Sequence, residues 1–271
     1  MKDASMDTDV EWEKWGKYDP YFAVITDEKF RSQNLTEKAK MEFFESGRSD
    51  INFVLDICRC HFDQSFSPKK VLDFGCGVGR LVIPFAEIAE HVVGVDVSDS
   101  MLKEARKNCN EYAVQNVTLL KSDDNLSFLD GEFDLIHSVI VFQHIPIERG
   151  RRIFTNLLNH LKERGICAIQ ITYSNAFFRE SHGVPPAELP IKKLKNKVKR
   201  CVWSCMEIVK RLVSSPVISE SPRQDPEMQM NPYNVNELFF LIQSAGIHNI
   251  YLTFTDHGGD LGVYLFFQKS H

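Results

Sequence analysis

The stretch Val71-Leu-Asp-Phe-Gly-Cys-Gly-Val-Gly-Arg80 decides the fold of this chain. Val71–Phe74 is a short apolar run and reads as a buried strand. Glycines follow at 75, 77 and 79, and Arg80–Ala89 reads as a helix. Glycine tolerates left-handed backbone and lets main-chain N–H groups approach a ligand closely. The helix N-terminus behind such a turn favours negative charge. Asp73 stands at the strand end, just before the glycines. A dinucleotide site usually reads G-x-G-x-x-G after small apolar residues. Here the third glycine comes one position early and an aspartate precedes the loop, which disfavours a nicotinamide dinucleotide.

Downstream, strands and helices alternate, the signature of a parallel α/β sheet. His91–Val95 is the second strand, and Asp99–Glu111 is a helix with Ser98 as its N-cap. Val117–Leu120 and Phe133–Ser138 are the third and fourth strands. Pro146–Lys162 is a long helix closed by Gly165 at its C-terminus, and Ile166–Thr172 is the fifth strand. Asp96 ends the second strand, where a carboxylate can accept from ribose hydroxyls. Asp123 and Asp124 follow the third strand, where either can accept from an adenine amine. Open α/β sheets bind ligands at the carboxyl ends of their strands, and these acidic residues all fall there.

After Thr172 the alternation stops. Residues 174–230 hold six prolines and read as an insertion. Asn234-Val-Asn-Glu237 resembles a capping box opening a helix that runs to Ala245 and closes at Gly246. Two strands follow, His248–Phe254 and Gly262–Gln268, joined by Thr255–Leu261. Before residue 71 lies a helical region led by an aromatic arm: Trp12, Trp15, Tyr18, Tyr21 and Phe22. The expected parts are therefore 1–66, arm and helices; 67–173, ligand-binding core; 174–230, insertion; and 231–271, a helix and two strands completing the core.

These residues resemble the class I S-adenosylmethionine-dependent methyltransferases of small-molecule type. Val71–Gly79 is similar to that family's first motif, Gly94–Leu102 to its second, Ser122–Asp124 to its third and Phe133–Ser138 to its fourth. The resemblance implies a doubly wound, Rossmann-like sheet of seven strands, mostly parallel, with an antiparallel last strand. It implies S-adenosylmethionine as cofactor, with S-adenosylhomocysteine as product. Asp73, Gly75, Gly77 and Gly79 would then meet the methionine part, Asp96 the ribose, and Val97 and Met101 the adenine ring. Asp123 or Asp124 would meet the adenine amine, and Cys76, Arg80 and Ser138 complete the expected cofactor set.

The segment after the fourth strand normally lines the acceptor pocket in this family. Here it reads Ser138-Val-Ile-Val-Phe-Gln-His144-Ile-Pro146. His144 is the candidate general base, since imidazole titrates near neutrality. Tyr21, Gln143 and His257 are candidate substrate contacts. His137, inside a strand, reads as a satisfied core histidine, and Arg149, Arg151 and Arg152 as a solvated helix face. Asn231-Pro-Tyr233 looks like the clamp of nucleic-acid amino-methylating enzymes but lies after the fifth strand, the wrong place. The expected activity is methyl transfer to a hydroxyl, carboxyl or amine of a small molecule, a glycan or lipid intermediate included. The alternative is a non-catalytic cofactor-binding module acting through the insertion.

Composition sets the remaining bounds. The net charge of −5 argues against a dedicated nucleic-acid binder. Residues 191–213 carry eight Lys/Arg against one Glu, a net +7, which leaves −12 for the rest. This segment has an apolar stripe and reads as a basic amphipathic helix, either a lid or dimer element or a contact for an anionic membrane surface or anionic substrate. Seven cysteines, without zinc-site spacing, read as reduced core thiols, so no metal is expected. No secretory signal or transmembrane run is apparent, so a cytoplasmic protein is expected, as monomer or homodimer.

Overall fold

A computed structural model describes residues 7–183 and 225–270 of the chain. Seven strands form one sheet in the order β3-β2-β1-β4-β5-β7-β6. They are β1 (Lys70–Phe74), β2 (His91–Asp96), β3 (Val117–Lys121), β4 (Phe133–Ser138), β5 (Leu161–Asn175), β6 (Asn249–His257) and β7 (Asp260–Gln268). The first five run parallel, and β7 lies antiparallel between β5 and β6. The strand order reverses at β1, which pairs with β2 on one side and β4 on the other. A crevice opens at such a switch point.

The alternation of side chains along each strand divides the core into two. Val71, Leu135, Ile166 and Phe266 pack on one face with the N-terminal helices. Leu72, Phe74, Ile136, Cys167 and Phe267 pack on the other. The first face is covered by α1 (Thr8–Tyr18), α2 (Pro20–Val24), α3 (Glu37–His61) and α4 (Val82–Ile88), and α5 (Asp99–Glu111) follows β2. The second is covered by α6 (Ile147–Asn159) and α7 (Val235–Ser244). Ser98 caps α5 as expected, its hydroxyl accepting from Met101 N–H. α1 rests on that same end. Glu13 accepts from the Ser98 hydroxyl at 2.7 Å and from Ser100 N–H at 3.1 Å. Against the upward push of burial, these bonds and Lys17 hold Glu13 at about 2. A β-carbon on Gly16 would sit 2.6 Å from the Ser98 hydroxyl, so only glycine allows this approach.

Three boundaries differ from expectation. Gly165 does not close a helix: α6 ends at Asn159, and Gly165 lies in β5. It is squeezed there, since a β-carbon would meet the carbonyls of Lys162 and Phe133 at 2.8 Å. α4 starts at Val82, because residues 75–81 are spent on the turn. The β6–β7 connection is a two-residue turn, Gly258-Gly259, at φ +69° and +100°. Two left-handed residues match the twist of a tight hairpin, so the strands run further than apolar spacing showed.

The chain divides into two compact units. The first takes in residues 7–175 and 226–270, and the second lies within 176–225. Of the second, the 3₁₀ helix Ala176–Ser181 is described, with Gly183 N–H returning to the Phe178 carbonyl at 2.9 Å. The basic helix expected at 191–213 lies outside the described residues. Among the described residues, no helix is long and apolar enough to cross a membrane.

Candidate active site

A cleft with an open volume of about 1020 Å³ lies at the carboxyl ends of β1, β2 and β4. Its floor is the glycine turn. Gly75, Gly77 and Gly79 all adopt left-handed backbone, at φ +77°, +51° and +87°. A β-carbon on Gly75 would strike Val141 at 2.4 Å, and one on Gly77 would strike Val24 at 2.8 Å. Gly79 is not part of the lining. It lies by Ala105 and turns the chain toward α4.

Two carboxylates flank this floor. Asp73 is buried, and its Oδ1 is held by His137 Nδ1 at 3.0 Å. Its Oδ2 has no hydrogen-bond partner. Asp96 accepts from Gly77 N–H at 2.9 Å and from Ser98 N–H at 2.8 Å. Burial pushes its carboxyl up to about 6, with the charge of Asp73 adding to the effect and the two N–H donors opposing it.

Val97, Met101, Cys76, Asp123 and Asp124 also line the cleft. The two aspartates differ. Asp123 Oδ1 accepts from the N–H groups of Asn125 and Ser127 at 2.9 and 3.0 Å, closing its own loop. Asp124 is gripped by Arg149 at 2.7 Å and by Arg152 at 3.0 Å. Arg149 also pairs with Asp9 of α1 at 3.0 Å, which ties α1 to the rim of the cleft. The three arginines are therefore not a merely solvated face. Arg149 lines the cleft, and Arg151 pairs with Glu148 and Glu237. Their spacing on α6 showed them together, but their carboxylate partners are remote in sequence.

His144 borders the cleft in a 3₁₀ turn, Phe142–His144, and is buried. Its Nδ1 bonds the Gln229 carbonyl at 2.8 Å. A carbonyl only accepts, so Nδ1 carries the proton and Nε2 keeps the lone pair. Nε2 has one long contact, 3.4 Å, to Gln143 Nε2. Burial lowers the imidazole below its usual 6.5, against opposing pulls from the Gln229 carbonyl and the Asp260 charge. The Trp12 ring lies 5.0 Å away. The loop before it contains Ile140 at φ +56°. A β-branched residue there is strained, and Gln170 Oε1 steadies it by accepting from Ile140 N–H at 3.2 Å.

Other expected site residues are placed elsewhere. Arg80 borders the cleft, but its guanidinium turns to α3, donating to Asp50 at 2.7 Å and Ser46 at 3.2 Å. The Ser138 hydroxyl donates to the Phe74 carbonyl at 3.0 Å, joining β4 to β1. Tyr21 gives its hydroxyl to Glu104 and Asn108, at 2.9 and 2.8 Å, and helps dock α2 on α5. Gln143 accepts from Thr172 at 2.6 Å, a structural bond. His257 pairs with Asp260 at the hairpin and does not line the cleft. Ile140 and Val141, in the segment expected at the pocket, do line the cleft, whereas sequence reasoning missed Thr8, Asp9 and Arg149. Polarity did not mark this face of α1, since Val10 is exposed while Thr8 and Glu11 are buried.

Residues 71–165 match the family of methyltransferase domains. Over these residues the chain is similar to methyltransferase domains, and its seven-stranded sheet has the methyltransferase fold. Its sheet order and antiparallel β7 are those of that fold. Among curated relatives, the domain is 32% identical over 95 residues to a magnesium-protoporphyrin O-methyltransferase of Synechocystis, covering 35% of this chain and 41% of that protein. It is 35% identical over 79 residues to a ubiquinone biosynthesis O-methyltransferase of Thiobacillus denitrificans, covering 29% and 34%. These matches thus span less than half the length of either relative. Among solved structures, the crystal structure of magnesium protoporphyrin IX methyltransferase from Synechocystis with bound SAH superposes with a TM-score of 0.61. That pair shares 16% identity, with 97% of this chain and 100% of that one covered.

Proposed function

We propose that the chain is an S-adenosylmethionine-dependent methyltransferase acting on a small-molecule acceptor. One observation carries the reading. A glycine cradle, a buried carboxylate oxygen without a partner and a second carboxylate at the next strand end converge on one cleft. These residues suit the cofactor. Asp73 Oδ2 would take its ammonium, Gly75 and Gly77 would admit its chain, Asp96 would accept from ribose hydroxyls, and Val97 and Met101 would flank the adenine. Of the two carboxylates after β3, Asp123 is the better adenine-amine acceptor, because Asp124 is committed to two arginines. Gly79, Ser138 and the Arg80 guanidinium would support the turn without touching the cofactor.

The cofactor supplies an activated methyl group on a sulfonium, so the protein need only place a nucleophile in line. A hydroxyl nucleophile must also lose its proton. His144 is the proposed proton acceptor through Nε2: Gln229 orients the ring, and burial keeps it neutral at pH 7. Ile140, Val141 and Trp12 would exclude water around it. Two relatives bear the name O-methyltransferase, which puts hydroxyl and carboxyl acceptors ahead of amines here.

Calorimetry with S-adenosylmethionine and S-adenosylhomocysteine tests the cofactor reading, and Asp96→Ala is the control. Binding by the wild type and its loss in the variant are expected. No binding, or equal binding by both proteins, would refute it. Transfer of labelled methyl to a panel of small phenols, carboxylic acids and amines then sorts the acceptor class.

A further inference from the structure

His137 is fully buried beneath the cleft and does not line it. It faces Asp73 directly, because the two are register partners on the parallel strands β4 and β1 and so share one face of the sheet. Its other nitrogen, Nε2, lies 2.6 Å from the Tyr264 hydroxyl on β7. The Phe85 ring closes its edge at 5.3 Å. Tyr264, His137 and Asp73 thus form one buried hydrogen-bonded chain ending at the cleft.

The direction of this chain follows from the donors. A carboxylate only accepts, so His137 Nδ1 carries the proton and donates to Asp73 Oδ1. Nε2 is then an acceptor, and the Tyr264 hydroxyl donates to it. Burial raises Tyr264 well above its usual range, so the hydroxyl keeps its proton. With Oδ1 anchored, the Asp73 carboxylate cannot swing, and Oδ2 stays buried without a partner. A buried anion with a bare oxygen is costly until a donor or cation arrives.

We infer that His137 and Tyr264 are positioning residues: they aim Asp73 Oδ2 at the ammonium of the cofactor's amino-acid end without touching the ligand themselves. This rests on the cofactor reading above. Without His137, Oδ1 would lose its donor, and the carboxylate would be free to rotate and would lose its aim. Affinity for the amino-acid end should then fall, while affinity for the adenosine end should not.

Titration of the full chain with two ligands separates these ends. S-adenosylhomocysteine carries the amino-acid arm, and 5′-methylthioadenosine keeps the adenosine and thioether without it. His137→Leu should weaken S-adenosylhomocysteine roughly tenfold, the scale of a lost charged hydrogen bond. Methylthioadenosine affinity should stay within about twofold, as for an independent site. His137→Asn, whose amide nitrogen can stand where Nδ1 stood, should restore most of the loss. Tyr264→Phe should give a smaller loss, roughly threefold, again for S-adenosylhomocysteine alone. Should His137→Leu fail to fold, Tyr264→Phe decides, since it removes one hydroxyl and keeps the ring. Parallel losses for both ligands, or no loss for either, would overturn the inference. Wild-type protein that bound neither ligand would bring down the cofactor reading itself and this inference with it. Wild-type binding of both, with variants unchanged, would overturn the positioning role alone.

Discussion

Asp96 should titrate near neutrality in the ligand-free protein, and this has a measurable consequence. Burial raises its carboxyl from 3.8 to about 6, despite the two N–H groups it accepts from. Between these values the folded chain binds a proton that the unfolded chain does not. Stability from this group therefore grows as pH falls through 6 and is lost as pH rises. The full difference is about 3 kcal/mol near pH 7, and about 1.4 kcal/mol of it is recovered between about pH 7.5 and pH 5. Asp96→Asn cannot titrate. Urea denaturation of wild type and variant at both pH values gives a difference in which other groups cancel. That difference should move toward the wild type by about 1.4 kcal/mol on acidification. The amide loses one backbone partner, so absolute stabilities are not the readout. A difference that stays flat, or moves the other way, would refute the reasoning. A ligand whose hydroxyls donate to Asp96 favours the anion, so wild-type binding should tighten as pH rises through about 6.

Further outcomes follow from the same geometry. His144→Ala should lower turnover by roughly 10²–10⁴-fold with little change in S-adenosylhomocysteine affinity, read from initial rates and calorimetry. The acid limb of the wild-type rate should fall below 6.5, because burial lowers His144 and the neutral ring is the active form. The same group should erode stability as pH drops beneath 6.5, where the unfolded chain takes up the proton first. Arg149→Met should cost about 1–3 kcal/mol in denaturation and speed proteolysis near α1, since it leaves Asp9 and Asp124 facing each other without their shared cation. Gly75→Ala should cost about 1–3 kcal/mol by thermal melting, because its β-carbon lands 2.4 Å from Val141.

Much of the candidate site's floor was legible in the sequence. Its determinants are local: glycines at 75, 77 and 79 need left-handed backbone wherever they stand, and Asp73 and Asp96 follow from strand ends that apolar runs reveal. Periodicity also placed most helices and strands. It failed at Gly165 and at the last hairpin, where close backbone approach and a two-glycine turn decide the boundaries.

The sequence by itself therefore determined the sheet, its order of motifs and the glycine turn that floors the cleft, because these depend on period and on glycine's freedom. Only the tertiary structure decided which polar groups are free to act. Arg149 looked solvated until Asp9, 140 residues away, met it, and Tyr21 looked like a substrate contact until Glu104 and Asn108 took its hydroxyl. His137 gained its place beneath Asp73 through strand register, and its second partner, Tyr264, is 127 residues distant. Pairings of this kind depend on which strands and helices become neighbours in space, and no local pattern along the chain records them.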